Sequence, residues 1–361
     1  MKQSASLASI RALCSLGLPG EQLIPALLEA LHRVIASSRN LFDWTDRDGN
    51  LIRYYFEGPI DAAVARHYFE EFHNKREAEA MPAFREAVTG RAVIRSATEL
   101  DNSRFYRSAL YNEIWRPQRL HSRIEAIVRN ARGEPLGSLV LYRDKGDPPF
   151  TVSEERLLAA QLPYVARALE ASTVLPRDFV ERRERRAFLH LSPEGRLAHV
   201  SQDAHKLLLL AHGGITPQSA SREPDAADYP TLALLAQQIR GNVGASNRQV
   251  GIAVENAWGR FLFEAEPLVS IAGGDAPMIH VSIQHGEPRP IAMRRALDGL
   301  ALTIAQKEVC ALLKAGYSRP QIAAALCVAP STVTDHVKKI YTRLDVHNVR
   351  DLCARLDEAA S

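Results

Sequence analysis

The sequence predicts an α+β multidomain protein in which two antiparallel-sheet domains precede an all-α domain of four helices. The chain has 361 residues, which is too long for one ordinary domain and suits two or three of about 100 to 200 residues each. Short strand patterns separated by turn residues occupy much of residues 1–288, whereas helical patterns with capping residues occupy residues 302–352. We therefore expect domains at 1–175, 176–288 and 289–361.

The composition is that of a globular protein, since 46% of the residues are hydrophobic and 24% are charged. The formal net charge is only +3, but it is unevenly distributed. Residues 289–361 contain eleven Lys and Arg against seven Asp and Glu, so this end carries more than the whole positive surplus. Such a surplus is compatible with contacts to phosphates, although it is also small enough to be ordinary.

The four cysteines lack the spacing of a zinc site or a redox pair, so we expect reduced thiols and no bound metal. They are Cys14, Cys310, Cys327 and Cys353. No apolar segment approaches the ~20 residues of a membrane span, and the N-terminus lacks the apolar core of a secretion signal. These features predict a cytoplasmic protein without membrane contact.

Two β-hairpins and flanking helices are predicted in the first domain, because alternating apolar residues flank turn sequences rich in Asp, Asn and Gly. The predicted strands are 41–44, 51–56, 124–129 and 136–143. A helical pattern at 23–35 is interrupted near its start by Pro25. A later helix is predicted to begin at Ser153 and to kink at Pro163.

The run Gly133 to Arg143, GEPLGSLVLYR, and the downstream Pro149-Phe150-Thr151 resemble a GAF domain. The resemblance covers most of the first domain and implies a small-molecule sensing module built on a central antiparallel sheet. Aromatic residues are candidate walls of a ligand pocket, although such residues more often only fill space in a core. The candidates are Trp44, Tyr54, Tyr55, Trp115 and His121. The ligand-binding residues themselves are not assigned by the sequence.

A second sheet is predicted after a charged run at 182–186. We interpret this run as a solvated linker or helix extension between domains or, alternatively, as a nucleic-acid patch. The predicted strands are 188–191, 197–200, 249–255, 260–267 and 278–284, and the predicted helices are 203–212 and 232–239. The order of strand, x-Pro-x-Gly turn, strand and helix resembles the opening of a PAS domain, which implies a second sensor and a small-molecule effector. A haem held by His190, His199 or His205 is a weak alternative, so we expect no cofactor.

Capping residues delimit the C-terminal helices. Thr303 and Gln306 form the pattern of a capping box, in which each side chain satisfies a free amide at the start of a helix. Gly316 is placed to end that helix in the left-handed conformation. Ser318 and Gln321 repeat the box and open a second, short helix.

Only residues 327–329 separate this helix from the next, which Pro330 starts without loss because its missing amide would have been unpaired anyway. Two short helices joined by a tight turn make a helix-turn-helix, whose second helix enters the major groove of double-stranded DNA. One stripe of that helix is apolar and is expected to pack inward: Val333, Val337, Ile340 and Leu344. The opposite side carries groups suited to base edges or phosphates. The candidate DNA-binding residues are Ser331, Thr332, Thr334, Asp335, Lys338, Lys339 and Arg343.

The order of these features resembles the LuxR-type helix-turn-helix across the whole domain, as in Gly316-Tyr317-Ser318 and the run 336–341, HVKKIY. The resemblance implies a four-helix DNA-binding domain that binds as a dimer and often pairs through its fourth helix, here 348–356. It implies base reading by Thr334, Asp335 and Lys338. It implies backbone contacts by Thr332, Lys339 and Arg343.

Three positions depart from that family pattern. Cys327 stands where a Gly is usual in the turn, and Ala329 replaces the usual Ser cap. Each is expected to cost about 1 kcal/mol of stability. Asn348-Val349 replaces a common Ser-Arg and is expected to affect the dimer.

We therefore interpret the chain as a transcriptional regulator, in which helix 331–344 recognises specific duplex DNA under the control of N-terminal sensor domains. We expect a homodimer, and RNA polymerase is a further candidate partner. The alternative is a sensory scaffold or adaptor whose C-terminal helices bind protein, but such interfaces favour exposed aromatic side chains. The sequence contains no phosphate-binding Gly-x-x-x-x-Gly-Lys-Ser/Thr loop and no convergent catalytic cluster, so we do not expect an enzyme.

Overall fold

The computed structural model describes residues 2–171, 175–182, 185–241, 249–268 and 278–360. Two antiparallel-sheet domains precede a helical C-terminal domain, so the predicted fold class is confirmed. Among the helices in these ranges, none has the length and apolar character needed to cross a membrane.

The first sheet contains β1 (Arg39–Thr45), β2 (Leu51–Phe56), β3 (Ile94–Arg95), β4 (Ser122–Arg129) and β5 (Pro135–Arg143). Its spatial order is β2-β1-β5-β4-β3, and neighbouring strands are antiparallel. Gly49, in the β1–β2 turn, has φ +77°, a conformation that side chains disfavour. Both predicted hairpins are confirmed, with strand limits within two residues of those expected.

The second sheet contains β6 (Phe179–Val180), β7 (Arg186–Leu191), β8 (Leu197–Val200), β9 (Val250–Asn256), β10 (Gly259–Leu268) and β11 (Met278–Pro288). Its order is β8-β7-β11-β10-β9, and β6 pairs with β11. Apart from the short β6, this is the connectivity of the first sheet. The sequence shows no internal repeat, so the repetition lies in the topology.

Helices and helical turns surround the two sheets. The α-helices are α1 (Lys2–Cys14), α2 (Gly20–Leu31), α3 (Ala62–His67), α4 (Phe84–Thr89), α5 (Ser103–Arg107), α6 (Val152–Ala159), α7 (Leu162–Glu170), α8 (Ala204–Ala211), α9 (Pro217–Ala220) and α10 (Pro230–Gly241). The 3-10 and π turns are Tyr68–Phe72, Arg76–Glu79, Ala97–Glu99, Leu110–Trp115 and Ala226–Asp228. Pro25 lies inside α2 and is buried.

Two details of the helix predicted from Ser153 are wrong. The cap is Thr151, whose hydroxyl accepts from the Glu154 amide at 3.2 Å while the Glu154 carboxylate accepts from the Thr151 amide at 2.9 Å. This reciprocal pair starts α6 one residue early. Pro163 does not kink α6, because it stands in the first turn of the separate helix α7, where its missing amide costs nothing.

The two sheet domains share one contiguous apolar core. Trp258 of the second domain is 2% exposed and contacts Trp44 edge-on at 5.6 Å and the stacked ring of Tyr55 at 6.0 Å, between ring centroids. The ammonium of Lys206, also from the second domain, donates to the carbonyl oxygen of Phe56 in the first. The two domains therefore pack as one unit.

The C-terminal domain begins without a loop. Helix α11 (Arg289–Gly299) starts at the residue after β11, and Pro290 stands in its first turn. The sequence predicted a domain boundary at 289 and helical patterns only from 302, so this helix was missed. The remaining helices are α12 (Ile304–Lys314), α13 (Arg319–Ala325), α14 (Pro330–Leu344) and α15 (Val349–Ala360). They enclose an apolar core of their own.

The charged run at 182–186 is not a solvated linker in its described part; residues 183 and 184 lie outside the described residues. Arg182 and Arg185 approach the fully buried carboxylate of Glu287 at 3.6 and 3.9 Å. Arg295 of α11 forms a two-pronged ion pair with the same carboxylate. These cations offset the cost of burying Glu287 and fasten the end of β11 to α11.

A second polar cluster joins α11 to the N-terminal helices. The Asp298 carboxylate accepts a hydrogen bond from the Ser9 hydroxyl of α1 and pairs with Arg294 at 3.1 Å and Arg33 at 3.8 Å. Lys307 of α12 donates to the backbone carbonyl of Asp298 at 2.8 Å. The start of the C-terminal domain is thus fixed to both ends of the sensor region.

Candidate nucleic-acid interface

The predicted capping boxes set the first two helices of the candidate interface. The Thr303 hydroxyl accepts from the Gln306 amide at 3.3 Å, and the Gln306 side chain accepts from the Thr303 amide at 3.0 Å. Gly316 has φ +85° just beyond α12. Both the amide and the hydroxyl of Ser318 donate to the Gln321 side chain, at 2.8 and 2.7 Å. The predictions for α12 and α13 are confirmed.

The turn between α13 and α14 is tight and carries two of the departures from the family pattern. Cys327 has φ +53°, in the left-handed region where a glycine is favoured. The Val328 amide donates to the Ala323 carbonyl at 3.0 Å and closes the turn. Ala329 is the N-cap of α14 and makes no side-chain hydrogen bond to its first turn. The turn forms despite a strained residue and a missing cap.

The apolar stripe of α14 is anchored inward as predicted. Val333, Val337 and Ile340 are buried, and Leu344 is half-buried against the same core. The helix runs without a break through Val337, and Asp345 ends it in the left-handed conformation. The orientation of the opposite face is therefore fixed by packing.

That opposite face is open to solvent. Of the seven candidate DNA-binding residues, Thr332 is half-buried and the others are exposed: Ser331, Thr334, Asp335, Lys338, Lys339 and Arg343. No described part of the sheet domains covers them. A surface of hydroxyl, carboxylate and ammonium groups on an uncovered helix matches the shape and chemistry of a major groove.

The basic side chains of this face differ in their ion pairing from those on the opposite side of the domain. Lys338 and Lys339 form no ion pair with any residue in the described ranges. On the rear side, Lys314 and Arg289 both pair with Asp357, at 2.5 and 3.9 Å. Unpaired ammonium groups on one face retain their full attraction for phosphates.

Two candidate side chains are engaged with their own domain. The Thr334 hydroxyl donates to the Pro330 carbonyl at 3.1 Å. The Arg343 guanidinium donates to the Gln306 side chain at 3.0 Å and to the Ala301 carbonyl at 3.4 Å. Arg343 is therefore partly committed to holding α14 against α12, which the sequence did not predict.

The fourth helix begins one residue after Asn348, whose side chain accepts from the Asp351 amide at 2.9 Å. Its buried residues Leu352, Leu356 and Ala360 face α11 and α12 rather than solvent. Val349 is on the exposed side.

The five candidate pocket residues lie in three different places. Tyr54 and Trp115 line a cavity in the first sheet domain. Trp44 and Tyr55 point to the other side of the sheet and pack on Trp258 of the second domain. The His121 ring lies 2.8 Å from the Tyr111 hydroxyl and stacks on Tyr106, outside the cavity.

The histidines of the second domain do not converge. His190 and His199 form a cross-strand pair on the sheet, whereas His205 is buried on α8. Within the described ranges, no cluster of His, Cys, Asp and Glu side chains has an arrangement that would hold a metal ion.

Residues 300–355 match the model of the luxR family of bacterial regulatory proteins, GerE. The C-terminal segment is therefore a luxR-family helix-turn-helix domain, the type of domain that binds DNA. No curated protein matches the chain.

The solved structures similar to this chain include a LuxR-type receptor and a two-protein complex. The VqmA dimer of Vibrio cholerae, determined without its target DNA, is 18% identical over 48% of this chain and 83% of that chain, with a TM-score of 0.20. The DhaR(N)–DhaL complex of E. coli is 15% identical over 78% of this chain and 89% of that chain, with a TM-score of 0.25. Both TM-scores are too low to indicate a shared overall arrangement.

Proposed function

We propose that this protein is a transcriptional regulator in which helix 331–344 recognises a specific duplex DNA sequence under the control of the N-terminal domains. The observation that carries the proposal is the polar face of α14. It is exposed, its two lysines are without ion pairs to described residues, and it belongs to a luxR-family domain.

The residues of this face are assigned to two kinds of DNA contact, with base edges and with phosphates. Thr334, Asp335 and Lys338 lie on consecutive outward positions and are assigned to base edges, where Lys donates to guanine and Asp accepts from cytosine. The assigned phosphate contacts are Ser331, Thr332, Lys339 and Arg343. Phosphate contacts position the helix, and base contacts give specificity.

Control is assigned to a GAF-like domain at 1–175 and a PAS-like domain at 176–288, with the DNA-binding domain at 289–361. The ion pairs of Glu287 and the hydrogen bond from Ser9 to Asp298 support this role, because they connect α11 to the second sheet and to α1. A small-molecule effector that shifts either sheet domain would act on α14 through these joints.

The functional unit is assigned as a cytoplasmic homodimer that contacts RNA polymerase at its promoters. Two copies would place two recognition helices on successive turns of the same DNA face, as in other helix-turn-helix dimers. The adaptor alternative is less well supported, because the outward residues of α14 are polar and include no Leu or aromatic side chain.

The decisive experiment is selection of bound duplexes from a random library by the full-length protein. We expect enrichment of a palindromic motif with half-sites about one helical turn apart, and affinity that falls steeply with salt. Folded protein that enriches no motif at low salt would refute sequence-specific recognition and favour the adaptor.

A further inference from the structure

The first sheet domain contains a cavity of about 150 Å³. It lies against one face of the sheet and is bordered by α3 and the turns that follow it. Its walls are mostly apolar and include seven aromatic residues: Tyr54, Phe56, Tyr68, Phe69, Phe84, Trp115 and Tyr142. A cavity of this volume accommodates about one benzene-sized ring.

Six ionisable side chains other than tyrosines line this cavity: Asp43, Asp61, His73, Glu77, Arg123 and Glu125. Asp61 accepts a hydrogen bond from the Val64 amide at 3.1 Å, and the His73 ring lies 3.4 Å from the Tyr68 hydroxyl. Three of the other four satisfy one another or the backbone. The Glu77 carboxylate accepts hydrogen bonds from the Tyr68 hydroxyl at 2.9 Å and from the amides of Asn74 and Phe84 at 2.8 and 3.0 Å. Glu125 pairs with Arg123 in a buried contact. These three groups therefore need no ligand.

The hydroxyl of Ser138 donates to the second oxygen of Glu125 at 2.8 Å. In the sheet, Asp43 of β1 is paired with Ser138 of β5 on one side and with Tyr54 of β2 on the other. Asp43 therefore lies beside Ser138, whose hydroxyl is already bound to Glu125.

Asp43 is the exception. Its side chain is 7% exposed and lines the cavity, yet it makes no hydrogen bond or ion pair with any described residue. Burial, together with the charges of Glu125 and Glu77, raises the pKa of Asp43 well above its usual range. An unpartnered buried acid is costly to ionise unless something that enters the cavity brings a positive charge.

We infer that this cavity binds a small organic amine as its ammonium ion, with the Asp43 carboxylate as counter-ion and aromatic rings around the apolar body. The inference deepens the proposed sensor function and rests on it for its biological meaning. Aromatic faces attract a desolvated cation, which strengthens the same preference.

Anionic ligands are disfavoured by the same residues. Four carboxyl groups line the cavity against one guanidinium, and that guanidinium of Arg123 already binds Glu125. Burial lowers the pKa of the other basic lining residue, His73, to about 4, so its ring is neutral at neutral pH. A carboxylate ligand would meet Asp43 and Glu77 without an available cation. A neutral ligand would leave Asp43 protonated and would gain only an ordinary hydrogen bond.

The test is calorimetric titration of the full chain with three molecules of similar size: benzylamine, benzyl alcohol and benzoate. Benzylamine should bind about tenfold or more tightly than the other two, because a charged hydrogen bond is stronger than a neutral one. Its affinity should rise with pH from mildly acidic to neutral conditions, because Asp43 must release a proton to pair with the ammonium.

Asp43→Asn should abolish the preference for the amine, whereas Asp48→Asn, an exposed acid in the β1–β2 turn, should retain it. The inference is overturned if the alcohol or benzoate binds as tightly as the amine, if the pH dependence is absent, or if no probe binds. The ligand series with the unaltered protein gives this answer even if Asp43→Asn fails to fold.

The two proposals fail separately. Amine binding is measured without DNA, and motif selection is measured without amine. Selection of a motif with no amine binding would remove the ammonium site and leave the DNA-binding function. Amine binding without a selected motif would support the ammonium site and refute sequence-specific DNA recognition.

Discussion

The backbone amide of Tyr54 donates a hydrogen bond of 2.9 Å to the carbonyl oxygen of Ile215, while the Tyr54 ring lines the cavity of the first sheet domain. Tyr54 lies on β2, at the edge of its sheet, and Ile215 lies in the loop after α8 of the second domain. Tyr54 therefore contacts both the cavity and the neighbouring domain. A ligand that displaces this ring would disturb the bridge between the domains.

Lys338→Ala should reduce discrimination between the selected duplex and a random one. Loss of a base-edge donor costs about 1–3 kcal/mol of specific binding and much less of nonspecific binding. Fluorescence anisotropy with both duplexes at one salt concentration measures the ratio. Lys145→Ala, which removes the same charge from an exposed loop of the first domain, is the control. Equal discrimination in all three proteins would refute the assignment of Lys338.

Lys339→Ala should behave differently, because this residue is assigned to phosphate. Affinity for specific and random duplexes should fall by similar factors, and the slope of log affinity against log salt should become shallower by about one. A salt series with both duplexes separates this result from that of Lys338→Ala. A selective loss of the specific duplex would instead place Lys339 on a base.

Cys327→Gly should stabilise the protein by about 1 kcal/mol. Cys327 holds φ +53°, a conformation that costs a non-glycine residue about 1–2 kcal/mol. Chemical unfolding of the full chain measures the change. Gly316→Ala is the matched opposite, since Gly316 has φ +85° with open space around it and should lose a similar amount. No gain from Cys327→Gly would mean that the turn relieves its strain elsewhere.

His285 should make stability depend on pH. Burial lowers its pKa to about 3, where its ring stacks on Phe261 and its Nε2 lies 2.8 Å from the Trp258 carbonyl oxygen. As pH falls below about 6.5, the unfolded chain takes up a proton that the folded chain takes up only near pH 3. The free energy of unfolding should therefore decrease by about 1.4 kcal/mol per pH unit within this window, as pH is lowered.

The comparison for that prediction is His285→Gln, which keeps a donor for the Trp258 carbonyl but does not titrate. Its unfolding free energy should fall less steeply with acid than that of the unaltered protein. His347→Gln removes an exposed histidine and should leave the slope unchanged. Parallel pH profiles for the unaltered protein and His285→Gln would show that His285 is not the source.

The helices of the C-terminal domain were predictable because their signals are local. A capping box couples residues three apart, as in Thr303 with Gln306, and Gly316 ends its helix through its own backbone conformation. The apolar stripe of α14 likewise follows from one helical period. Such features depend little on the rest of the fold.

The polar cavity was not predictable, because it depends on which faces of the first sheet are covered. Arg123 and Glu125 alternate with Ile124 and Ala126, a pattern that usually marks a solvent-facing side. Here both faces are buried, so the charged side chains must pair inside the protein. Nothing in the local sequence places Asp43, from a strand about eighty residues earlier, beside them.

The ion pairs and hydrogen bonds that fix the C-terminal domain to the sheet domains were not predicted, for the same reason. Glu287 meets Arg182 and Arg185 across about one hundred residues of chain, and Ser9 meets Asp298 across a still longer separation. The run at 182–186 was therefore assigned to solvent. Helix α11 was overlooked because it spans the predicted boundary region at 289, although Pro290 is a residue type that suits the first turn of a helix.

Because α11 follows β11 at once, with Pro288 and Pro290 on either side of Arg289, the connection is stiff. The sheet and the helix behave as a lever whose arm, at 1.5 Å per residue, is about 16 Å long. A tilt of a few degrees at the sheet then becomes a displacement of about an ångström at the far end. In the proposed dimer, such a displacement is roughly a third of the ~3.4 Å rise of one base pair. It would change how closely the two recognition helices fit successive major grooves, with no need for either subunit to unfold.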